Sequence, residues 1–166
     1  MRTLRTVASL VLQVAVLVVL VAAFLLRAEQ VSGLSMEPNI DSDEYVLINI
    51  GAYRLHAPDH NDIVAFHHDG MTPEVYIKRI VGLPGDRIRI VRGEVLVNDK
   101  ALAEPYVRYS DGRSFAQVVV PADSLYVLGD NRVVSEDSRF WGFVRDDQVI
   151  GKALAGVWPL DRLGVL

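Results

Sequence analysis

The sequence predicts a mostly β protein that carries a single N-terminal transmembrane helix. Three observations lead to this prediction. An uncharged apolar run of about 20 residues lies near the start of the chain. Beyond it, short segments rich in Val, Ile and Tyr alternate with Gly, Pro, Asn and Asp at spacings of about 8–12 residues. No later stretch repeats its apolar residues with the 3.6-residue period of a helix over about 11 positions.

Length and composition limit the class of protein. The 166 residues allow one domain of about 140 residues plus an appendage. With 51% hydrophobic and 23% charged residues, the chain is not of the disordered type. Its net charge of −4 argues against a partner bound through nucleic-acid phosphates. The absence of cysteine excludes disulfides, thiol nucleophiles and zinc–thiolate sites.

The apolar run predicts a membrane anchor at residues 7–26. At a rise of about 1.5 Å per residue, such a helix spans a hydrocarbon core of about 30 Å. A cleaved secretory signal peptide is the alternative interpretation. Against it, the run is longer than the apolar core of an ordinary signal peptide, and no A-x-A cleavage site precedes Arg27.

The basic residues around this run predict the orientation of the anchor. Arg2 and Arg5 precede it, and beyond Arg27 no further Lys or Arg occurs before Arg54. The positive-inside rule therefore predicts that the short N-terminus, residues 1–6, is cytoplasmic. The remainder, residues 27–166, is predicted to form an extracytoplasmic β domain.

This β domain is predicted to be a sandwich or a barrel. Its strands are predicted at Tyr45–Ile50, Asp62–His68, Val75–Gly82 and Arg87–Val91, and in the later segments EVLVND, SFAQVVV, LYVLGDN and VIGKALAGVW. Arg87–Val91 alternates strictly, with its arginines on one face and its isoleucines on the other. A turn is predicted at Asp69–Gly70. Near the C-terminus, Trp158 and Leu160 are expected to pack into the core, with contact at the membrane interface as the alternative.

Lysine is rare in this chain and occurs only at Lys78, Lys100 and Lys152. Lys78 lies inside an apolar strand, on the same face as Tyr76 and Ile80, so that one face must shelter a cation. One interpretation is an edge strand with a solvated lysine. The other is a desolvated lysine whose lowered pKa leaves a neutral amine, able to act as a general base.

Two polar segments stand out between the apolar ones. The first, SGLSMEPNI at Ser32–Ile40, contains Gly33, which permits a tight backbone approach, then Ser35 and the stiffening Pro38. The second, GDNRVVSEDSR at Gly129–Arg139, is of the kind that forms an Asp–Arg network fixing a loop. Each segment alone is explained by a structural role.

Together with the lysine, these segments form an ordered set of motifs that resembles type I signal peptidase, a membrane-bound serine endopeptidase with a Ser–Lys dyad. The motifs are S-M-x-P at Ser35–Pro38, G/N-D-I-V-x-F at Asn61–Phe66, K-R-x-x-G-x-P-G-D at Lys78–Asp86 and G-D-N-R-x-x-S-x-D-S-R at Gly129–Arg139. The resemblance covers nearly the whole chain. It implies an all-β catalytic domain of the signal peptidase type.

The resemblance also implies a role for each motif residue. Ser35 is implied as the nucleophile and Lys78 as the general base. Ser135 would hydrogen-bond and aim the lysine, and Asp137 and Arg139 would form an ion pair beneath the site. Substrate-binding residues are expected at Val31, Gly33, Ile40, Tyr76 and Ile77. No metal and no cofactor is implied.

The sequence departs from the family pattern at two positions. Gly33 stands where some members have a serine whose hydroxyl contributes to the oxyanion hole. A glycine at this position is usual in the forms from Gram-positive bacteria. The hole would then depend mainly on the backbone N–H of Ser35. Asn39 occupies a position where the family often has threonine.

The implied function is the removal of signal peptides from secreted preproteins at a plasma membrane. The implied partners are signal-peptide-bearing preproteins and membrane lipid. Leu26 and Ser35 are nine residues apart, which keeps the serine within roughly 30 Å of the bilayer edge. Two alternatives stay open: a catalytically inactive, membrane-tethered β binding module, and a self-cleaving Ser–Lys relative of the SOS repressor type, against which the anchor argues.

Overall fold

A long apolar helix precedes two antiparallel sheets in the computed structural model, which describes residues 2–68 and 74–166. The helices are α1 (Arg2–Leu25), α2 (Ala52–Leu55) and α3 (Ser138–Trp141), with 3-10 turns at Asp146–Gln148 and Leu160–Arg162. The strands are β1 (Leu26–Gln30), β2 (Tyr45–Asn49), β3 (Ile63–Phe66), β4 (Tyr76–Gly82), β5 (Arg87–Val91), β6 (Glu94–Val97), β7 (Lys100–Ala101), β8 (Phe115–Val119), β9 (Ser124–Leu128), β10 (Val144–Arg145), β11 (Val149–Trp158) and β12 (Gly164–Val165). The prediction of a mostly β fold behind an N-terminal apolar helix is confirmed. The turn predicted at Asp69–Gly70 lies outside the described residues.

Helix α1 is a candidate membrane span. Its apolar stretch, Thr6–Leu25, is 20 residues long, and no part of its most apolar window is buried against the rest of the chain. The helix ends one residue before the predicted boundary at residue 26. The reason is local, because Leu26 already pairs with Asn49 as the first residue of β1.

The larger sheet places the lysine strand in its interior. Its strand order is β1-β2-β11-β3-β4-β9-β10, and β12 pairs with β11. β4 pairs with β3 over Tyr76–Arg79 and with β9 from Arg79 onward, and its residues are buried from Ile77 to Gly82. The interpretation of this segment as an edge strand with a solvated lysine is therefore wrong.

The smaller sheet has the order β7-β6-β5-β8 and covers a second part of the core. The predicted alternation of β5 is confirmed, because Ile88 and Ile90 are buried while the two arginines beside them are exposed. The two sheets meet closely at Gly82, where a Cβ atom would lie 2.8 Å from Cδ1 of Ile88. A side chain at position 82 would collide with the side chains of Ile88 and Tyr126.

The C-terminal aromatic and aliphatic residues do not join the core. Trp158 is 54% exposed and Leu160 is 65% exposed, so the expectation that they pack inside is wrong. Trp158 pairs with Tyr45 at the last position of β11, where Tyr45 is itself exposed. Leu160 follows in a 3-10 turn that extends beyond the sheet.

Candidate active site

Ser35 lies on a tight turn between β1 and β2. The amides of Asn39 and Ile40 both donate to the carbonyl of Met36, at 3.0 Å each. The side chains of Met36 and Ile40 are fully buried and anchor this turn to the core. On the other side, the amide of Asn131 donates to the carbonyl of Ser35 at 3.0 Å. These contacts fix the backbone of Ser35 while its side chain stays half-buried.

Lys78 reaches this serine from the interior of β4. Its Nζ atom lies 2.7 Å from Oγ of Ser35, and the residue is only 4% exposed. Burial disfavours the ammonium form and lowers the pKa of Lys78 from 10.5 to about 8, although Asp137 and Asp130 nearby oppose the shift. The structure thus brings together the two residues that the sequence predicts as nucleophile and base.

The three predicted supporting residues form one buried network beside this pair. Asp137 has no solvent exposure and accepts hydrogen bonds from the Ser135 hydroxyl at 2.7 Å and from the Gly129 amide at 3.0 Å. Arg139 contacts both of its carboxylate oxygens, at 2.7 and 2.9 Å. A second carboxylate, that of Asp111, also accepts from Arg139 at 2.7 Å.

The position of Ser135 differs in one respect from the expectation. Its hydroxyl donates to Asp137, and the hydrogen bond of Lys78 goes to Ser35. The expected bond between Ser135 and Lys78 is therefore not formed in this structure. Ser135 is nevertheless close to the serine turn, because a Cβ atom built on Gly129 would lie 2.2 Å from the Ser135 hydroxyl and 2.5 Å from the Ser35 carbonyl.

A second buried ion pair lies on the other side of β4 and was missed by the sequence interpretation. Arg79 makes a two-point contact with Asp130, with N–O distances of 2.8 and 2.7 Å. The amide of Asn39 bridges Asp130 and the carbonyl of Tyr106, at 2.8 and 2.9 Å. Asn39 thus ties the serine turn to the loop of Gly129–Arg139. The adjacent K-R and G-D dipeptides were the sequence signal for this pair.

A groove of about 360 Å³ opens beside Ser35 and Lys78. Of the expected substrate-binding residues, Val31, Tyr76 and Ile77 line it. Ile40 does not, because it is fully buried in the same core cluster as Val31 and Ile77. Further lining residues not predicted as substrate-binding are Glu29, Gln30, Ser32, Glu74 and Val75.

Gly33 does not line this groove either, and its role is in the backbone. Its φ of +99° lies in the left-handed region that side chains disfavour, and its amide donates to the Ser42 hydroxyl at 3.3 Å. Within residues 2–68 and 74–166, the Ser35 amide makes no hydrogen bond. This N–H is therefore available to a substrate.

The strands that pair with β4 change along its length. β3 pairs with β4 from Tyr76 to Arg79, whereas β9 pairs with β4 only from Arg79 onward. Beside Ile77 and Lys78, the side of the strand away from β3 therefore faces the groove, as far as the described part of the chain shows. No three His, Cys, Asp or Glu side chains are grouped as metal ligands among the described residues.

A β domain behind an apolar helix, with a serine and a buried lysine in contact at a peptide-sized groove, has the parts of a serine endopeptidase. A family model described as "Signal peptidase, peptidase S26" matches residues 4–158. The chain belongs to this family, which supports serine endopeptidase activity toward signal peptides.

Two curated relatives agree with this assignment, and one solved structure is similar to the chain. "Probable signal peptidase I-2" of Synechocystis sp. is 37% identical over 156 residues, which cover 91% of this chain and 72% of that protein. Signal peptidase IB of Staphylococcus aureus is 30% identical over 165 residues, which cover 89% of this chain and 85% of that protein. A crystal structure of a signal peptidase I from Enterococcus faecalis aligns with 58% of this chain and 97% of its own, at 29% identity and a TM-score of 0.49.

Proposed function

We propose that this chain is a membrane-anchored serine endopeptidase that removes N-terminal signal peptides from secreted preproteins, with Ser35 as nucleophile and Lys78 as general base. The observation that carries the proposal is the 2.7 Å contact between Nζ of Lys78 and Oγ of Ser35 at a lysine that is almost fully buried. A serine hydroxyl is a poor nucleophile until a neighbouring base removes its proton. With a pKa of about 8, roughly one lysine in ten is neutral at pH 7.

Acylation begins from this neutral amine. Oγ of Ser35 attacks the carbonyl carbon of the scissile bond while Nζ of Lys78 takes the hydroxyl proton. The resulting tetrahedral intermediate collapses, the C–N bond breaks, and the Lys78 ammonium returns its proton to the leaving amine. The products are the mature protein, with a free N-terminus, and a signal peptide esterified to Ser35.

Deacylation uses the same base a second time. Neutral Lys78 takes a proton from a water molecule, which attacks the ester carbonyl. The ester bond breaks, Oγ of Ser35 recovers its proton from the ammonium, and the signal peptide leaves as a carboxylic acid that releases its proton to solvent. Both half-reactions are balanced in protons, and neither requires a metal or a cofactor.

The developing oxyanion would be bound by the backbone N–H of Ser35. This amide has no partner among the described residues, which supports the role. With Gly33 two residues before the nucleophile, no side-chain hydroxyl is supplied from that position. The positive φ of Gly33 sets the direction in which the chain enters the turn.

The network of Ser135, Asp137 and Arg139 is proposed to position Lys78. Because the Ser135 hydroxyl donates a hydrogen bond to Asp137, its lone pairs are left to accept one from the Lys78 ammonium when the lysine turns away from Ser35. Asp137 is held in turn by Arg139. These residues act through the lysine and do not touch the substrate.

Substrate binding is proposed in the groove along the start of β4. An extended peptide would add to the edge of the strand at Ile77 and Lys78, and small side chains would fit between Val31, Tyr76 and Ile77. Such a site favours cleavage after A-x-A sequences. Gly33 and Ile40 would contribute through the backbone turn and the core rather than through direct contact.

Membrane anchoring by α1 would hold this groove near its substrates. We propose a single-pass arrangement in a plasma membrane, with residues 1–6 in the cytoplasm and residues 27–166 outside. Arg2 and Arg5 support that orientation. The apolar segment of a signal peptide lies in the same membrane, and its cleavage site emerges beside the enzyme.

A cleavage assay tests the proposal. Purified full-length protein in detergent is mixed with a preprotein that has an A-x-A site, and the new N-terminus is read by mass spectrometry. Ser35→Ala and Lys78→Arg are compared with the matched controls Ser9→Ala and Lys100→Arg, which lie in the helix and on exposed β7. Guanidinium stays protonated and cannot replace a neutral amine.

We expect cleavage after the A-x-A site by the wild type and by both controls. Ser35→Ala and Lys78→Arg should lose at least about a thousandfold in kcat/KM. Full activity of Ser35→Ala would contradict the serine mechanism, and full activity of Lys78→Arg would contradict the general-base role. No cleavage by a folded wild-type protein across several preproteins would favour a binding module instead.

A further inference from the structure

A second cavity lies at the end of helix α1, in a part of the domain that the proposed peptidase chemistry does not use. Its volume is about 370 Å³. Arg27 and Arg54 line it together with the ring of Tyr53 and the carboxylate of Asp146. None of these residues lines the groove beside Ser35 and Lys78.

Hydrogen bonds and packing fix this cavity at the level of the helix end. The amide of Ile50, which lines the cavity, donates to the carbonyl of Leu25 at 2.9 Å. A Cβ atom on the next residue, Gly51, would lie 3.0 Å from Cδ2 of Leu25. Arg27 itself is only two residues beyond the last helical residue. If α1 spans the membrane, as proposed above, the cavity lies where the hydrocarbon meets the lipid head groups.

The charges of the cavity favour an anion. The guanidinium groups of Arg27 and Arg54 are exposed, and neither makes an ion pair or a hydrogen bond with a side chain in the described part of the protein. Among the residues that line the cavity, Asp146 supplies one negative charge against these two positive ones. Paired guanidinium groups match the oxygens of a phosphate in both charge and geometry.

The remaining wall of the cavity is aliphatic. It is formed by Ile50, Val149 and Ile150, all of which are half-buried. A free phosphate ion would gain nothing from these side chains, whereas the glycerol and upper acyl carbons of a lipid would bury apolar surface against them. A basic side and an apolar side within one cavity therefore favour a phospholipid over a soluble anion.

We propose that this cavity binds the phosphate of an anionic membrane phospholipid between Arg27 and Arg54, with the glycerol end of its acyl chains against Ile50, Val149 and Ile150. The inference rests on the membrane anchoring proposed above. The bound lipid gives the β domain a second attachment to the bilayer beside α1. It would restrict rotation of the domain about the helix end and so fix the direction in which the substrate groove faces the membrane.

The test measures lipid binding directly. Full-length protein purified in detergent is titrated with phosphatidylglycerol, and the lipid molecules retained are counted by native mass spectrometry. The double variant Arg27→Gln/Arg54→Gln is compared with Arg89→Gln/Arg92→Gln. The second variant removes the same charge from exposed positions of β5 and the turn after it. Excess inorganic phosphate is added in a parallel titration.

We expect the affinity for phosphatidylglycerol to fall at least about tenfold in Arg27→Gln/Arg54→Gln and to stay unchanged in the control. Equal affinity in all three proteins would overturn the proposal. Displacement of the lipid by inorganic phosphate at comparable concentration would also overturn it, because the site would then be one for the free anion. If thermal melting shows the double variant to be less stable than the control, Arg54→Gln alone is measured, with the same tenfold loss expected.

This experiment separates the lipid site from the other proposals. It is carried out in detergent and measures binding, so it requires neither peptide cleavage nor a spanning helix. Anchoring is tested independently by whether the full chain sediments with membranes, and the peptidase mechanism by the Ser35→Ala variant.

Discussion

Nζ of Lys78 lies 2.7 Å from Oγ of Ser35, although 43 residues of sequence separate them. Lys78 comes from the interior of the larger sheet, and Ser35 comes from a turn held by Met36, Ile40 and Asn131. The backbone of Ser35 can therefore not move away from Lys78 without breaking these contacts. This relationship determines how activity and stability depend on pH.

Peptidase activity should depend on the protonation of Lys78. Burial lowers the pKa of its amine to about 8, and only the neutral amine can accept the serine proton. Below pH 8, kcat/KM should fall about tenfold for each pH unit, and above pH 8 it should level off. The measurement is the rate of cleavage of one peptide between pH 5 and pH 9. A rate that stays constant down to about pH 5 would contradict a neutral-lysine base.

Replacing the lysine should stabilise the fold at neutral pH. The folded pKa of Lys78 is below the unfolded value of 10.5, so unfolding takes up a proton between pH 8 and 10.5 and the free energy of unfolding rises with pH there. The shift of pKa from 10.5 to about 8 costs roughly 3 kcal/mol below pH 8. Lys78→Met removes this cost and the hydrogen bond to Ser35, which contributes about 1 kcal/mol.

Lys78→Met should therefore be more stable than the wild type by roughly 2 kcal/mol at pH 7, and above about pH 10.5 the wild type should be the more stable by about 1 kcal/mol. Urea unfolding at pH 7 and at high pH measures both differences. The control is Lys100→Met on exposed β7, for which no gain is expected at either pH. A Lys78→Met protein less stable than the wild type at pH 7 would show that burial of the lysine does not lower the free energy of unfolding.

Loss of the Asp137 carboxylate should destabilise the domain. Asp137 is completely buried, and the Arg139 side chain that it neutralises is only 2% exposed. Among the described residues, Asp137→Ala leaves the guanidinium with one carboxylate, that of Asp111, and with the Ser135 carbonyl, and it removes the acceptor of the Ser135 hydroxyl. The expected loss is about 3–5 kcal/mol of unfolding free energy, measured in urea. Glu136→Ala, at the exposed neighbouring position, is the control and should leave the free energy of unfolding nearly unchanged. Equal stability of the two variants would contradict the role of the network.

A methyl group at position 129 should slow peptide cleavage. Its Cβ would lie 2.2 Å from the Ser135 hydroxyl and 2.5 Å from the Ser35 carbonyl, so the loop and the serine turn would have to separate. A displacement of about 1 Å at a nucleophile lowers the rate about a hundredfold. Gly129→Ala should therefore lower kcat by about that factor. Gly164→Ala, where a Cβ meets no atom within 4 Å, should keep full activity. Equal rates in the two variants would show that this packing is not required.

Residue pattern was sufficient to predict the apolar helix and the buried faces of the β strands. Strict alternation predicted which residues of β5 point inward, because one face of that strand packs on the core and the other faces solvent. β1 was not predicted. Three of its five residues LRAEQ are polar, and the strand exists because it pairs along β2 at the margin of the sheet, a contact with no local sequence signal.

The candidate site could be predicted only in part. The motif resemblance predicted Ser35 and Lys78, and the structure places them in contact. Lys78 is covered by the turn of Ser35, 43 residues earlier in the chain, so the burial of Lys78 did not follow from its own neighbours. Ile40 was expected in the groove and lies in the core, since its amide continues the turn that directs its side chain inward.

The most direct test of the Ser35–Lys78 pair is an NMR titration of the lysine side chains. With only three lysines in the chain, protein labelled with ¹³C at lysine Cε gives few signals, and Lys78→Arg assigns the relevant one by removing it. The pKa of Lys78 should be about 8 and should match the midpoint of the activity profile. A Lys78 signal that titrates above pH 10 would contradict the proposed mechanism, because the lysine would then be protonated wherever the enzyme works.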